Sequence, residues 1–245
     1  MHLPARVGAR ISPEATAPRG PRGATPPAAV GMGDRAAQAC GTWLTNSMTL
    51  GGAGDPDGAF RLGCRFNHSC TPNVAWTWRE DLAALVFHAA RDIPPGEELC
   101  ISYVYVVRPA AERAADLRGY WRFQCSCPAC ALAGSERAAS DERRRLLATV
   151  EDRAGDLGRA AQWLGPPFSR LLAAPARELF TRHLALLDEE LLGPPKLKAR
   201  AAYLALRLAQ LCGDASGAAS WASVAREQAR LAEGPGSEIE RAVGR

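Results

Sequence analysis

Residues Arg65–Asn73 read R-F-N-H-S-C-T-P-N and residues Phe123–Cys130 read F-Q-C-S-C-P-A-C. The relation between these two stretches decides the fold. The second supplies Cys125, Cys127 and Cys130 in a C-x-C-x-x-C array. Three thiolates so close hold one face of a tetrahedral Zn2+, and a closed structural site needs a fourth ligand. Cys70, inside N-H-S-C, is the natural candidate, with Cys64 or a water as competitors. A metal shared by segments this far apart would pin one to the other. Cys40, Cys64, Cys100 and Cys212 stand in apolar or isolated settings and read as buried hydrophobes.

Working outward, a chain of 245 residues has room for one domain or two and enough apolar content for a core. The net charge of +4 comes from Arg scattered through nearly every segment, so no dense basic patch points to nucleic acid. No apolar h-region follows the start, which argues against secretion and a disulfide framework. The clustered cysteines read as metal binding in a reducing compartment. No apolar run approaches the roughly 20 residues of a membrane span, so the expectation is a soluble, intracellular chain.

Residues 1–40 are rich in Pro, Gly, Ala and Arg, and predict a disordered low-complexity tail. Thr42–Leu50 alternates weakly and predicts a strand, followed by a plain loop at G-G-A-G-D-P-D-G. That loop lacks the G-K-[ST] of a phosphate cradle. Ala59–Leu62 reads as a short extended piece. Val74–Trp78 and Ala83–His88 predict two strands joined by a polar turn at Arg79–Asp81. I-P-P-G at Ile93–Gly96 is a turn, Glu98–Val107 a further strand, and Ala110–Tyr120 has helical composition.

After Cys130 the pattern changes to helices. Ser140-Asp141-Glu142 signals a helix start, and Leu147, Val150, Leu157, Ala161 and Leu164 recur at helical spacing, interrupted by Gly155 and Gly158. Leu179, Phe180, His183, Leu184, Leu187 and Leu191 make a second stripe, closed by Gly193-Pro194-Pro195. Leu197 to Leu211 forms a third helix and Ala218 to Ala229 a fourth, separated by Gly213-Asp214. Their small residues suit close packing, in a TPR-like array. His88 and His183 read as structural histidines. Glu97-Glu98 is not a carboxylate pair, because neighbours on a strand point to opposite faces.

N-H-S-C, then G-E-E-L-C-I-S-Y at Gly96–Tyr103, then C-x-C-x-x-C resemble, in that order, the SET domain and post-SET zinc loop of protein lysine methyltransferases. The SET–MYND branch is the nearest likeness, and T-N-S-M-T-L at Thr45–Leu50 resembles its short asparagine motif. The resemblance implies an α+β fold: a short-stranded SET-type β fold with a post-SET zinc loop, then an all-α, TPR-like C-terminal domain. The divisions are 1–40 (tail), 41–118 (partial SET domain), 119–134 (zinc loop) and 135–245 (helical domain). It implies that Asn46 and Asn67 hold the amino acid end of S-adenosylmethionine, that His68 helps bind the adenosine, and that Phe123 packs against the cofactor. Tyr103 lines the methyl-transfer channel, and Cys70, Cys125, Cys127 and Cys130 hold a structural Zn2+.

The implied activity is methyl transfer to a lysine of a histone or non-histone protein, in the nucleus or cytoplasm. That chemistry needs an aligned, water-free site and no nucleophilic enzyme residue. Two departures stand out. No G-x-G segment is found upstream of Thr42 and no MYND finger is seen, which suggests a truncated domain. Tyr105 also replaces an acidic or amide residue, and Trp121 or Tyr120 fills the post-SET aromatic place. The alternative is a non-catalytic, zinc-stapled SET-like interaction module.

Overall fold

The computed structural model describes residues 10–11, 16–17, 34–50, 56–166, 168–190 and 195–243. Two short strands, β1 (Arg10–Ile11) and β2 (Thr16–Ala17), precede helix α1 (Asp34–Asn46), which leads directly into β3 (Ser47–Thr49). β4 (Asp57–Ala59), β5 (Asn67–His68), β6 (Val74–Arg79), β7 (Ala84–Ala89) and β8 (Cys100–Ile101) follow. They form three small sheets, ordered β1-β7-β6, β2-β4-β3 and β5-β8. The helices after them are α2 (Ala110–Asp116), α3 (Pro128–Ala131), α4 (Gly134–Ala148), α5 (Val150–Leu164), α6 (Ala173–Glu189), α7 (Pro195–Leu211), α8 (Ala215–Glu233) and α9 (Glu238–Val243). The architecture is α+β with an all-α second half.

The β6–β7 hairpin forms where its two β-rich runs predict it, in the register Val74↔Ala89 to Arg79↔Ala84. Its turn closes through Ala83, whose φ of 44° is left-handed, a conformation disfavoured for a residue with a Cβ. Val74, Leu85 and Phe87 point into a core shared with Met48, Phe60 and Ile101. Gly58 of β4 has no substitute there: a Cβ would lie 2.8 Å from the Phe60 ring.

Several local expectations are corrected. Thr42–Asn46 is helix, not strand; Thr45 Oγ1 donates back to the Gly41 carbonyl at 2.9 Å, and only Ser47–Thr49 is extended. Part of the stretch read as a tail is ordered: α1 begins at Asp34, and Arg10 and Thr16 pair with Val86 and Gly58. The rest of that stretch, the glycine loop at 51–55 and the closing Gly193-Pro194 lie outside the described residues.

The strand expected over Glu98–Val107 stops at Ile101. Ser102 Oγ donates to the Val104 carbonyl at 2.6 Å and bends the chain, which carries Val106 and Val107 into a different cluster with Leu147 and Leu187. Ser140 does not cap a helix; α4 starts at Gly134, and buried Ser140 bonds Glu190 instead. Gly155 and Gly158 do not interrupt α5, and the break falls at Thr149.

The last helices match their spacing. Gly213 takes a φ of 66°, and Asp214 caps α8 by accepting the Gly217 N–H at 2.9 Å. Buried Ala202, Ala205 and Ala209 on α7, and Ala222, Ala225 and Ala229 on α8, let the two helices pack closely. The C-terminal end of α8 reaches the hairpin, where Arg79 Nη1 donates to the Glu233 carbonyl at 2.9 Å.

Candidate functional site

Two residues of parallel pairing, Asn67↔Cys100 and His68↔Ile101, fix the N-H-S-C segment beside β8, and Ser69 N–H extends the pairing to the Ile101 carbonyl at 2.9 Å. Buried Asn73 locks the register from the other end. Its Oδ1 accepts the Cys100 N–H at 2.8 Å, and its Nδ2 donates to the Glu98 carbonyl at 2.8 Å and to Glu97 Oε1 at 2.7 Å. Cys70 is therefore held in place and fully buried. From the other segment, Cys130 N–H bonds the Cys127 carbonyl at 2.9 Å in the turn that opens α3.

The four sulfurs of Cys70, Cys125, Cys127 and Cys130 all lie within 4.8 Å of one another, with Cys70 Sγ 3.6 Å from Cys130 Sγ. A tetrahedral ion with metal–sulfur bonds near 2.3 Å needs sulfur–sulfur edges of about 3.8 Å, so the set fits zinc. Cys64 is turned elsewhere and donates to the Asn46 carbonyl at 3.2 Å. Donation from the Cys130 and Cys70 thiols holds Cys127 well below the ordinary thiol range, and the same sharing pushes Cys70 up. Burial pushes Cys125 up to about 12. One thiolate thus leads, and an incoming ion displaces the remaining protons.

The charge around the cluster also fits a metal. Arg113, on α2, is fully buried. Its Nη1 donates to the Arg108 carbonyl, while Nε and Nη2 meet no hydrogen-bond partner among the described residues. Burial opposes its charge, but the Cys70 and Cys130 sulfurs outweigh that and raise its pKa. Neutral thiols would leave this cation unpaired; a metal-loaded thiolate set, net negative, would not. Next to it, buried Arg144 donates to the Val106 carbonyl and, through Nε, to Glu190 at 2.7 Å. Glu190 also takes Arg143 and Ser140, each at 2.6 Å.

On the other side of N-H-S-C stands an aromatic wall. Tyr103 is the hub: its ring centroid lies 5.3 Å from His68, 5.5 Å from Trp121 and 6.4 Å from Phe123. Its hydroxyl donates to the Phe66 carbonyl at 2.5 Å, and burial raises its pKa, so the phenol is neutral. His68 Nδ1 accepts the Tyr103 N–H at 3.0 Å, which leaves the proton on Nε2, 3.3 Å from Cys70 Sγ. Burial lowers His68 to about 4, so the ring is neutral and joins the wall to the cysteines.

Asn67 lies on β5 with its Nδ2 on Glu98 at 2.6 Å. Asn46 ends α1 with its amide turned back to the Thr42 carbonyl at 2.8 Å. Tyr120 ties α1 to this region by donating to the Leu44 carbonyl at 2.7 Å. Glu97 and Glu98 precede β8 and take different side-chain partners, Asn73 and Asn67. His183 is buried on α6 away from the site, and burial lowers it to about 4.

Residues 27–104 match the family model described as SET domain. The strand-rich part of the chain is thus similar to a SET domain. The match begins inside the stretch that composition reads as a tail, and it ends one residue beyond Tyr103. The chain is 37% identical over 109 residues to histone-lysine N-methyltransferase set5 of Schizosaccharomyces pombe, covering 44% of this chain and 34% of that protein. It is 36% identical over 95 residues to human N-lysine methyltransferase SMYD2, covering 39% and 20%. It is 39% identical over 88 residues to human protein-lysine N-trimethyltransferase SMYD5, covering 35% and 21%. The matched stretches thus span about a third or less of these relatives, and the likeness supports the SET–MYND branch.

Three residues of the SET half and its flank escape a reading by motif. Asn73 is visible only as the last letter of N-H-S-C-T-P-N. Arg113 is the single arginine of α2 and Arg144 one of four in α4, and nothing local marks either as buried.

Proposed function

We propose that this chain is an S-adenosylmethionine-dependent protein-lysine N-methyltransferase whose zinc centre is structural. The observation that carries this is Tyr103, neutral and half-buried at the meeting point of His68, Trp121 and Phe123, with its hydroxyl proton directed to the Phe66 carbonyl. An oxygen so oriented keeps its lone pairs for a neutral amine N–H or a polarised methyl C–H, and the surrounding rings exclude water. S-adenosylmethionine, when bound, supplies the activated methyl group. Asn46 and Asn67 hold its amino acid end, and Phe123 covers it. Both nitrogens of His68 are engaged within the protein, so this residue meets the adenosine through its ring face or backbone.

Zn2+ at Cys70, Cys125, Cys127 and Cys130 fastens the wall-bearing segment to N-H-S-C and has no open position for water chemistry. The substrate is a protein lysine, histone or non-histone, and a thiolate centre suits the reducing nucleus or cytoplasm. No helix among the described residues is long and apolar enough to cross a membrane.

A second reading, a zinc-stapled interaction module without cofactor, is favoured by one observation: the amides of Asn46 and Asn67 are satisfied internally by Thr42 and Glu98. Calorimetric titration of S-adenosylhomocysteine into the zinc-loaded chain separates the two. The methyltransferase binds at micromolar Kd, about −8 kcal/mol, and loses binding in Asn67→Ala. Tyr103→Phe keeps the affinity and lowers methyl transfer to protein substrate at least about tenfold. A folded, zinc-containing chain that binds no S-adenosylhomocysteine is the interaction module.

A further inference from the structure

We propose that Tyr120 is a positioning residue of the cofactor site: its hydroxyl holds the last turn of α1 and so sets Asn46 for the amino acid end of S-adenosylmethionine. This deepens the methyltransferase reading and rests on it. The last carbonyls of a helix have no partner within the helix. α1 has no basic side chain in its last turn to supply one. Two side chains from distant segments do so instead. Tyr120 Oη donates to the Leu44 carbonyl at 2.7 Å, and Cys64 Sγ to the Asn46 carbonyl at 3.2 Å. Asn46 turns its Nδ2 back to the Thr42 carbonyl at 2.8 Å and to Thr45 Oγ1 at 3.0 Å. A carbonyl neighbour fixes which end of the amide is nitrogen, so Oδ1 is the end left to accept from the cofactor's ammonium group.

The segment that carries Tyr120 is built to aim rings. Leu117–Trp121 forms a π-helical turn, a widened form that recurs at functional sites. Arg122 then takes a φ of 61°, left-handed and strained for a residue with a Cβ. Around this break, Tyr120 lies against Trp121 with ring centroids 4.6 Å apart, while Trp121 and Phe123 lie 5.5 and 6.4 Å from Tyr103. One short stretch thus reaches both Tyr103 and the helix end that bears Asn46. The Tyr120 ring serves the first through Trp121 and its hydroxyl serves the second, so removing one oxygen separates the two roles.

The test removes that oxygen. The unmodified full chain and Tyr120→Phe, both loaded with zinc, are titrated calorimetrically with S-adenosylhomocysteine and with 5′-methylthioadenosine, a nucleoside thioether that lacks the amino acid end. Tyr120→Phe weakens S-adenosylhomocysteine binding about threefold to tenfold and leaves methylthioadenosine within about twofold, with melting temperature and zinc content unchanged. A hydroxyl that only supports the fold would weaken both ligands alike. If methylthioadenosine binds too weakly to titrate, Asn46→Ala takes its place: adding Tyr120→Phe to it costs S-adenosylhomocysteine no further affinity, and a further loss overturns the role. The assignment also falls if S-adenosylhomocysteine loses less than about threefold, if both ligands weaken in proportion, or if Tyr120→Phe fails to fold or to hold zinc. An unmodified chain that binds neither ligand overturns the methyltransferase reading itself, and the positioning role with it.

Discussion

The SET half and the helical half are held together by opposite means. In the first, two-residue strands, a buried asparagine and a cysteine cluster define the geometry, and few contacts carry much of it. In the second, α6, α7 and α8 present rows of buried alanine and leucine, so stability is spread over many small contacts. The first kind of construction places chemical groups accurately but fails when one member is lost. The second degrades gradually. The two meet where Val106 and Val107 pack on Leu147 and Leu187, and where Arg144, paired with Glu190, donates to the Val106 carbonyl.

The comparison breaks most sharply on metal removal. A chelator should strip protection from amide exchange across residues 66–73 and 100–130 while 199–232 keep theirs. Structural zinc sites contribute on the order of 10 kcal/mol of binding free energy, so this is the largest effect expected. Uniform loss of protection in both halves would show that they do not differ in this way.

A smaller break lies at the junction. Glu190→Ala leaves Arg144 buried without its carboxylate and should cost about 3–5 kcal/mol in chemical denaturation. Combining it with Arg144→Met should recover part of that loss, because the unpaired charge is removed. The third change sharpens the contrast from the other side. Ala225→Leu overpacks the α7–α8 contact and should cost about 1–3 kcal/mol with zinc content unchanged. Zinc lost in proportion would mean that the helical half props up the metal centre.

How much of this could be read from the sequence follows the same division. The cysteine motifs are legible because metal ligation restricts both residue type and spacing, and the hairpin is legible because β-rich runs flank a polar turn. The α7–α8 pair is legible through its alanine rows. Asn73, Arg113 and Arg144 are not, because burial of a polar residue is decided by partners distant in sequence: Cys100 for Asn73, Cys70 for Arg113, Glu190 for Arg144. Likewise α1 carries Thr and Trp that favour strands, and tertiary context overrides that preference. Ser102 ends β8 through one side-chain bond that a run of β-formers conceals.

The sulfurs of Cys70 and Cys130 come from positions 60 residues apart. On a ribosome adding about 5–20 residues per second, Cys70 waits about 3–12 seconds before its last companion has been made. During that interval it is an ordinary thiol, open to oxidants and to stray metal. The centre that finally encloses it is thus assembled late, and the cell that makes this chain must keep its newborn cysteines reduced until the second segment arrives.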